Sequence, residues 1–196
     1  TREIVAVEVA GRSGVTVIDT DEQPGNAKPE KIPTLKPAFA KDGTITAANA
    51  SSISDGAAAL VVTKESVAKA QGLPIAARII AWATNSQEPA KFTSAPVPAI
   101  RKVLEKAGWT VDDVDLFEIN EAFAMVPMIA MKELGIPAEK LNVNGGATAL
   151  GHPIGASGAR IIATLIAALQ NRGLKKGVAS LCIGGGEGTA IAVELA

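Results

Sequence analysis

The chain has 196 residues, 47 % of them apolar and 20 % charged, with a net charge of −1. Those proportions are ordinary for a globular protein and long enough for one domain or a little more. A balanced charge, no basic stripe and 3 % aromatic residues with no tyrosine argue against nucleic acid as a partner, because neither an electrostatic footprint nor a stacking platform is present.

Residues 1–18 alternate, with Ile4, Val5, Val7 and Val9 before a Gly11–Gly14 turn and Val15 and Val17 after it, which predicts a hairpin. Residues 19–44 are polar and hold Pro24, Pro29, Pro33 and Pro37, so a loop with little regular structure is expected. The small-residue run Asp55–Val62 reads as a buried strand, followed by a short helix over 64–71 closed by Gly72. Ile75 to Ala83 is a second strand. Pro98 opens a helix carrying Ile100, Val103, Leu104 and Ala107 on one face and stopping at Gly108. Val114–Ile119 predicts a strand. Ala122–Leu134 predicts a helix closed by Gly135, with Pro127 kinking it or marking its start. Leu141–Val143 reads as a short strand. Ser157 is expected to N-cap a helix reaching about Asn171, with Gly173 beyond it. Val178–Ile183 and Thr189–Leu195 are expected to pair as an antiparallel hairpin across Gly184–Gly188. From Ile75 onward the order is β-α-β-α-β-α-β-β. This predicts an α/β layer with a mostly parallel sheet and an antiparallel end.

His152 is the only histidine and Cys182 the only cysteine. A single cysteine makes no internal disulfide and fits a reducing compartment, for which a cytoplasmic location is the expectation. No run of about 18 apolar residues predicts a membrane span. The first residues lack the basic and apolar regions of a signal peptide and open without methionine, as the inside of a longer chain would.

Both unique residues lie in glycine-rich turns. His152 sits in Gly145-Gly146-Ala147-Thr148-Ala149-Leu150-Gly151-His152-Pro153-Ile154-Gly155-Ala156-Ser157-Gly158. Cys182 opens Cys182-Ile183-Gly184-Gly185-Gly186-Glu187-Gly188. Glycine lets backbone approach a ligand, and N–H groups at a helix start favour negative charge. Histidine exchanges protons near neutral pH. Cys182 reads either as a small buried hydrophobe or as a thiol beside an oxyanion site, and the three glycines after it favour the second. Asn120, in Ile119-Asn120-Glu121-Ala122-Phe123, falls where a strand hands over to a helix. There it, or Glu121, caps the helix or faces a ligand. Asn49-Ala50-Ser51-Ser52-Ile53-Ser54-Asp55-Gly56 suits a phosphate or amide contact and equally a plain polar turn. One His and one Cys make no zinc signature. The glycine runs match neither the P-loop nor the dinucleotide fingerprint.

Three of these segments, Asn120-Glu121-Ala122-Phe123-Ala124, Gly151 to Gly158 and Cys182 to Gly186, resemble in order and spacing the motifs of the thiolase family of CoA-dependent acyltransferases. The resemblance implies an α/β, layered αβαβα architecture. Within it, residues 1–52 look like the end of the loop domain. Residues 53–74 look like the last strand and helix of the N-terminal half, and 75–196 like the C-terminal half. It implies Claisen condensation of acyl-CoA or thiolytic cleavage of a short 3-ketoacyl-CoA. Cys182 resembles the acid/base cysteine. His152 resembles the residue that activates the nucleophile and, with a water held by Asn120, binds the thioester oxygen. The N–H of Gly184 resembles an oxyanion-hole donor. Ser51 and Ala47 match positions lining the CoA pantetheine, Phe92 and Phe123 border the acyl site, and Lys28 or Lys31 replaces an arginine often found in the 23–31 loop. A thiol near a histidine or a helix dipole is expected to have a lowered pKa.

The resemblance also implies coenzyme A or acetyl-CoA as substrate, no tightly bound cofactor or metal, and a place in fatty acid metabolism. The partner it implies is the N-terminal half carrying the nucleophilic cysteine, within a homodimer or homotetramer. By itself the chain is expected to expose the apolar run 57–62 and to be unstable or inactive. The alternatives are a non-catalytic acyl-CoA-binding or scaffolding subunit, and a hydrolase with Cys182 as its nucleophile.

Overall fold

A computed structural model describes residues 3–196; Thr1 and Arg2, which open the stretch assigned above to the loop domain, lie outside the described residues. The alternating valines form an exposed antiparallel hairpin, β1 (Val7–Gly11) with β2 (Gly14–Ile18). The proline-rich stretch holds more regular structure than its composition suggests. It contains a one-turn helix α1 (Glu22–Asn26), capped by Asp21 accepting from the Gln23 N–H, and a 3-10 helix at Pro29–Thr34. Proline fits the first turn of a helix, where its missing N–H has no partner to lose.

The strand expected over 57–62 does not form. Leu60, Val61 and Val62 are exposed, Val61 almost fully. β-propensity alone does not make a strand: its N–H and C=O groups need a ladder partner, and no described strand pairs with this run. The helix after it is α2 (Glu65–Ala70).

From residue 75 the elements follow the sequence, apart from the stretch 141–150. They are β3 (Ala77–Ser86), α3 (Pro96–Ala107), β4 (Leu116–Ile119), α4 (Met125–Leu134), α5 (Ala147–Leu150), α6 (Ser157–Arg172), β5 (Lys176–Ile183) and β6 (Glu187–Leu195). Gly108, Gly135 and Gly173 close α3, α4 and α6 in the left-handed conformation. Pro127 lies in the first turn of α4 and leaves it unbroken.

The sheet order is β3-β6-β5-β4. β4 and β5 are parallel, and β6 is antiparallel to both its neighbours. The reversed strand therefore lies inside the sheet, between β3 and β5, rather than at its end, and two of the three pairings are antiparallel. A tight hairpin from β5 puts β6 at its side, and β3 then pairs with the far edge of β6. Leu141–Val143 is no strand either. Leu141 makes a single parallel bridge to Phe117, and Asn142 turns the chain away at φ 45°. Its amide then replaces a ladder, accepting from the Ile119 N–H at 2.8 Å and donating to the Ile119 carbonyl at 2.8 Å.

Helices cover both faces, so β4 is buried at every position. On one face Ile100, Val103 and Leu104 of α3 and Val126 and Ala130 of α4 pack with Phe117, Ile119, Val178 and Cys182. On the other, Ile161, Leu165, Ala168 and Leu169 of α6 form a stripe against Leu116, Ala179 and Val193. Two glycines near the Cys182 turn are required by close approach. Gly186 has φ +97°, and a Cβ there would lie 2.3 Å from the Gln87 carbonyl oxygen; a Cβ on Gly188, the register partner of Cys182, would lie 2.3 Å from the Ala95 carbonyl oxygen.

Because that second obstacle is backbone, Gly188→Ala is expected to destabilise the fold by about 1–3 kcal/mol. Gly155→Ala, where an added Cβ meets nothing within 4 Å, should stay within about 0.5 kcal/mol of the parent. Urea denaturation of the two variants checks the contrast.

Candidate active site

Two chain segments meet at the carboxyl end of β4. The Asn120 N–H donates to the Ser180 carbonyl at 2.9 Å, which continues the β4–β5 ladder by one bond. The glycine-rich loop brings His152 to it. Asn120 Nδ2 and His152 Nε2 are 3.2 Å apart, across 32 residues of sequence.

Two braces hold that meeting. Segment 49–53 threads between the motifs. The Ser51 N–H and Oγ both donate to the Ala122 carbonyl, the Ala124 N–H donates to Asn49, and the His152 N–H donates to the Ser52 carbonyl at 2.9 Å. The second brace is Glu121. Its carboxylate accepts from the Thr148 N–H and hydroxyl at the start of α5 and from Asn142 Nδ2. Gly146 makes room for it, since a Cβ there would collide with the carboxylate.

The hydrogen-bond directions set the state of His152. Ser157 Oγ donates to the Pro153 carbonyl at 3.0 Å, so at 2.6 Å it accepts from His152 Nδ1–H. Arg160 has donors only, so Asn120 Oδ1 accepts from its Nη2 at 3.5 Å and Asn120 Nδ2 is left to donate to His152. The ring is thereby the neutral Nδ1–H tautomer with its lone pair on Nε2. Burial, and then the Arg160 charge, hold its pKa below the usual histidine value. Ser157 is thus not the N-cap of α6. Ala156 holds that place, and Ser157 is the first helical residue with its hydroxyl committed to the ring.

Cys182 lies at the end of β5, buried, and its thiol is pushed up to about 11 by burial. The expected lowering does not occur, because desolvation by burial outweighs the backbone hydrogen bond that favours the thiolate. The thiol is therefore protonated at neutral pH and can give a proton rather than start as thiolate. Gly184, in the turn just after it, is exposed, and nothing approaches the space a side chain would fill.

Phe123 stacks edge-on against Phe92 at 6.3 Å and against Phe39 at 6.1 Å. Phe92 and Phe123 also pack against the same core as Cys182. Ser51 spends its hydroxyl proton on Ala122 and is left as an acceptor, and Ala47 is exposed at the turn leading into that segment. Lys28 and Lys31 are exposed. Among the described residues no group of three or more His, Cys, Asp or Glu is placed to hold a metal ion, and no helix is long and apolar enough to cross a membrane.

Beneath the pair lie two groups that sequence reading missed, Glu118 and Arg160. Glu118 is 2 % exposed on β4, and burial raises its carboxyl to about 8 despite Arg160 Nη1 at 3.8 Å. Their signal was a glutamate inside an otherwise apolar strand, Leu116-Phe117-Glu118-Ile119. The folded chain binds a proton at Glu118 between the ordinary carboxyl value of 4.5 and about 8, while the unfolded chain does not. Its contribution to stability is therefore complete below 4.5 and lost as pH rises through about 8. Glu118→Gln should flatten the fall in stability between pH 5 and pH 8 relative to the parent, read as midpoint against pH in urea.

A family model described as "Thiolase, C-terminal domain" matches residues 73–195, and one described as "Thiolase, N-terminal domain" matches residues 1–66. The acetyl-CoA acetyltransferase of Allochromatium vinosum is 52 % identical over 194 residues, covering 98 % of this chain and 49 % of that protein. The cytosolic acetyl-CoA acetyltransferase of Mus musculus is 50 % identical over 196 residues, with the same coverage. The solved Bacillus anthracis acetyl-CoA acetyltransferase superposes with a TM-score of 0.94 at 48 % identity, over 98 % of this chain and 49 % of that one. Human mitochondrial 3-ketoacyl-CoA thiolase in complex with CoA gives 0.84 at 38 % identity, over 92 % and 46 %. The chain spans about half the length of the curated relatives it matches. With a C-terminal-domain match over more than half its residues, placed on an α/β fold shared with solved thiolases, the chain belongs to the thiolase family.

Proposed function

We propose that this chain is the C-terminal portion of a CoA-dependent acyltransferase that condenses two short acyl-CoA molecules or cleaves a 3-ketoacyl-CoA with CoA. The observation that carries the reading is the Asn120–His152 contact, in which an amide donor adjoins a neutral base with its lone pair on Nε2. The protonated thiol of Cys182, at the end of the strand that pairs with β4, completes the chemistry.

In the cleavage direction, a nucleophilic thiol from an N-terminal half gives its proton to His152 Nε2 and attacks the 3-keto carbonyl. Nε2–H is then a donor. The C2–C3 bond breaks, and its electron pair moves onto the leaving thioester as an enolate. The enolate oxygen is stabilised by His152 and by a water held on Asn120, while C2 takes the proton of Cys182. Incoming CoA returns a proton to the Cys182 thiolate and carries the acyl group away as a new thioester, and the nucleophilic thiolate so released takes its proton back from His152 Nε2. The Gly184 N–H faces the oxyanion of the acyl-transfer step. Such groups act best in a dry site, where aimed dipoles replace bulk solvent. Ser51 and Ala47 border the pantetheine arm, and Phe92 and Phe123 bound the acyl group. Lys28 or Lys31 meets the nucleotide end. No resident cofactor is needed. A cytoplasmic homodimer or homotetramer acting in fatty acid metabolism completes the reading.

The test is CoA-dependent cleavage of acetoacetyl-CoA by the assembly of this chain with its nucleophile-bearing half. Turnover is expected, and Cys182→Ala and His152→Ala should each lower kcat by about 10²–10⁴. Absence of turnover in an assembly shown to contain both halves would refute the assignment, and an acyl-enzyme formed on Cys182 would favour a hydrolase instead.

A further inference from the structure

Arg160 lies three residues into α6 with its side chain only 20 % exposed. One arm, Nη2, reaches Asn120 Oδ1 at 3.5 Å, and the other, Nη1, faces Glu118 at 3.8 Å. Among the described residues, neither Nη1 nor Glu118 Oε1 has a hydrogen-bond partner. A pair kept for stability alone is expected to saturate its donors and acceptors, since a buried, half-satisfied ion pair gives little net stabilisation. This one is left loose directly beneath the catalytic pair. The amide of Asn120 has two orientations of nearly equal shape. Only one puts Nδ2 toward the His152 lone pair; the other sets two acceptors, Oδ1 and Nε2, against each other.

We infer that Arg160 is a positioning residue, whose buried guanidinium locks the Asn120 amide with its nitrogen toward His152 and keeps the ring in the neutral Nδ1–H form. Three carboxyl groups face the guanidinium: Glu118 from β4, Glu121 from the turn after β4, and Glu3 from the N-terminal segment, which also accepts from Thr164 of α6. Glu118 is protonated in the range where histidine titrates. Glu118 therefore does not cancel the positive charge beside His152 there, which agrees with the downward influence of Arg160 on the ring.

The inference rests on reading Asn120 and His152 as the catalytic pair, but its first test needs no activity. His152 is the only histidine, so ¹³C,¹⁵N-histidine labelling of the full chain reports this ring alone by NMR. The parent ring should be the Nδ1–H tautomer. In Arg160→Met the titration midpoint should rise and the Nε2–H tautomer should gain population. Arg160→Lys, which keeps the charge and the fold but not the planar fork, should hold the midpoint near the parent and still shift the tautomer balance. Glu118→Gln should leave the ring unchanged. A ring in Arg160→Met and Arg160→Lys with the parent's midpoint and tautomer overturns the inference. In the active assembly, Arg160→Lys should lower kcat about ten- to a hundredfold with KM little changed. An unchanged kcat also overturns it. An assembly inactive even with the parent chain counts against the proposed function and leaves the ring result standing.

Discussion

One hydrogen bond, between Asn120 Nδ2 and His152 Nε2, sets the requirement that the surrounding structure meets. It joins the end of a buried strand to a loop 32 residues away, and a loop by itself would not hold a ring to a few tenths of an ångström. Backbone bonds from segment 49–53 and the carboxylate of Glu121 supply the rigidity. The glycines of the loop follow from the same need. Gly146 has no side chain because Glu121 occupies the space, and Gly151 takes φ +88° with Ser54 against the position of its missing Cβ. Preorganisation of this kind fixes donors before charge develops, so no reorganisation is needed at the moment of reaction.

The electrostatics of the site share one cause. Burial holds His152 neutral, keeps the Cys182 thiol protonated and raises Glu118 to about 8. At neutral pH His152, Cys182 and Glu118 are thus an uncharged base, an uncharged acid and an uncharged carboxyl, and Arg160 is the cation that also faces Glu121 and Glu3. An uncharged acid and an uncharged base suit proton transfer.

Much of this was legible in the sequence, for stated reasons. His152 and Cys182 stand out because each is unique and lies in a glycine turn. Helix stops at Gly108, Gly135 and Gly173 follow from local backbone chemistry that tertiary structure had no reason to override. What failed depended on partners. The run 57–62 has strand composition, but pairing is a property of two segments. The place of β6 inside the sheet is a spatial order that chain order does not encode. Ser157 is a good cap by local preference, yet its hydroxyl is claimed by His152. Glu118 and Arg160 read as ordinary charges until the fold buries them together, and the same burial reverses the expected shift of Cys182.

Whether Asn120 and His152 act as one unit is decided by a double-mutant cycle on kcat/KM in the active assembly. Two residues serving one oxyanion and proton-transfer function lose their effect together. Asn120→Ala combined with His152→Ala should then be little worse than His152→Ala alone. If the two losses multiply instead, the residues work independently and the hydrogen bond between them is not the centre of the site.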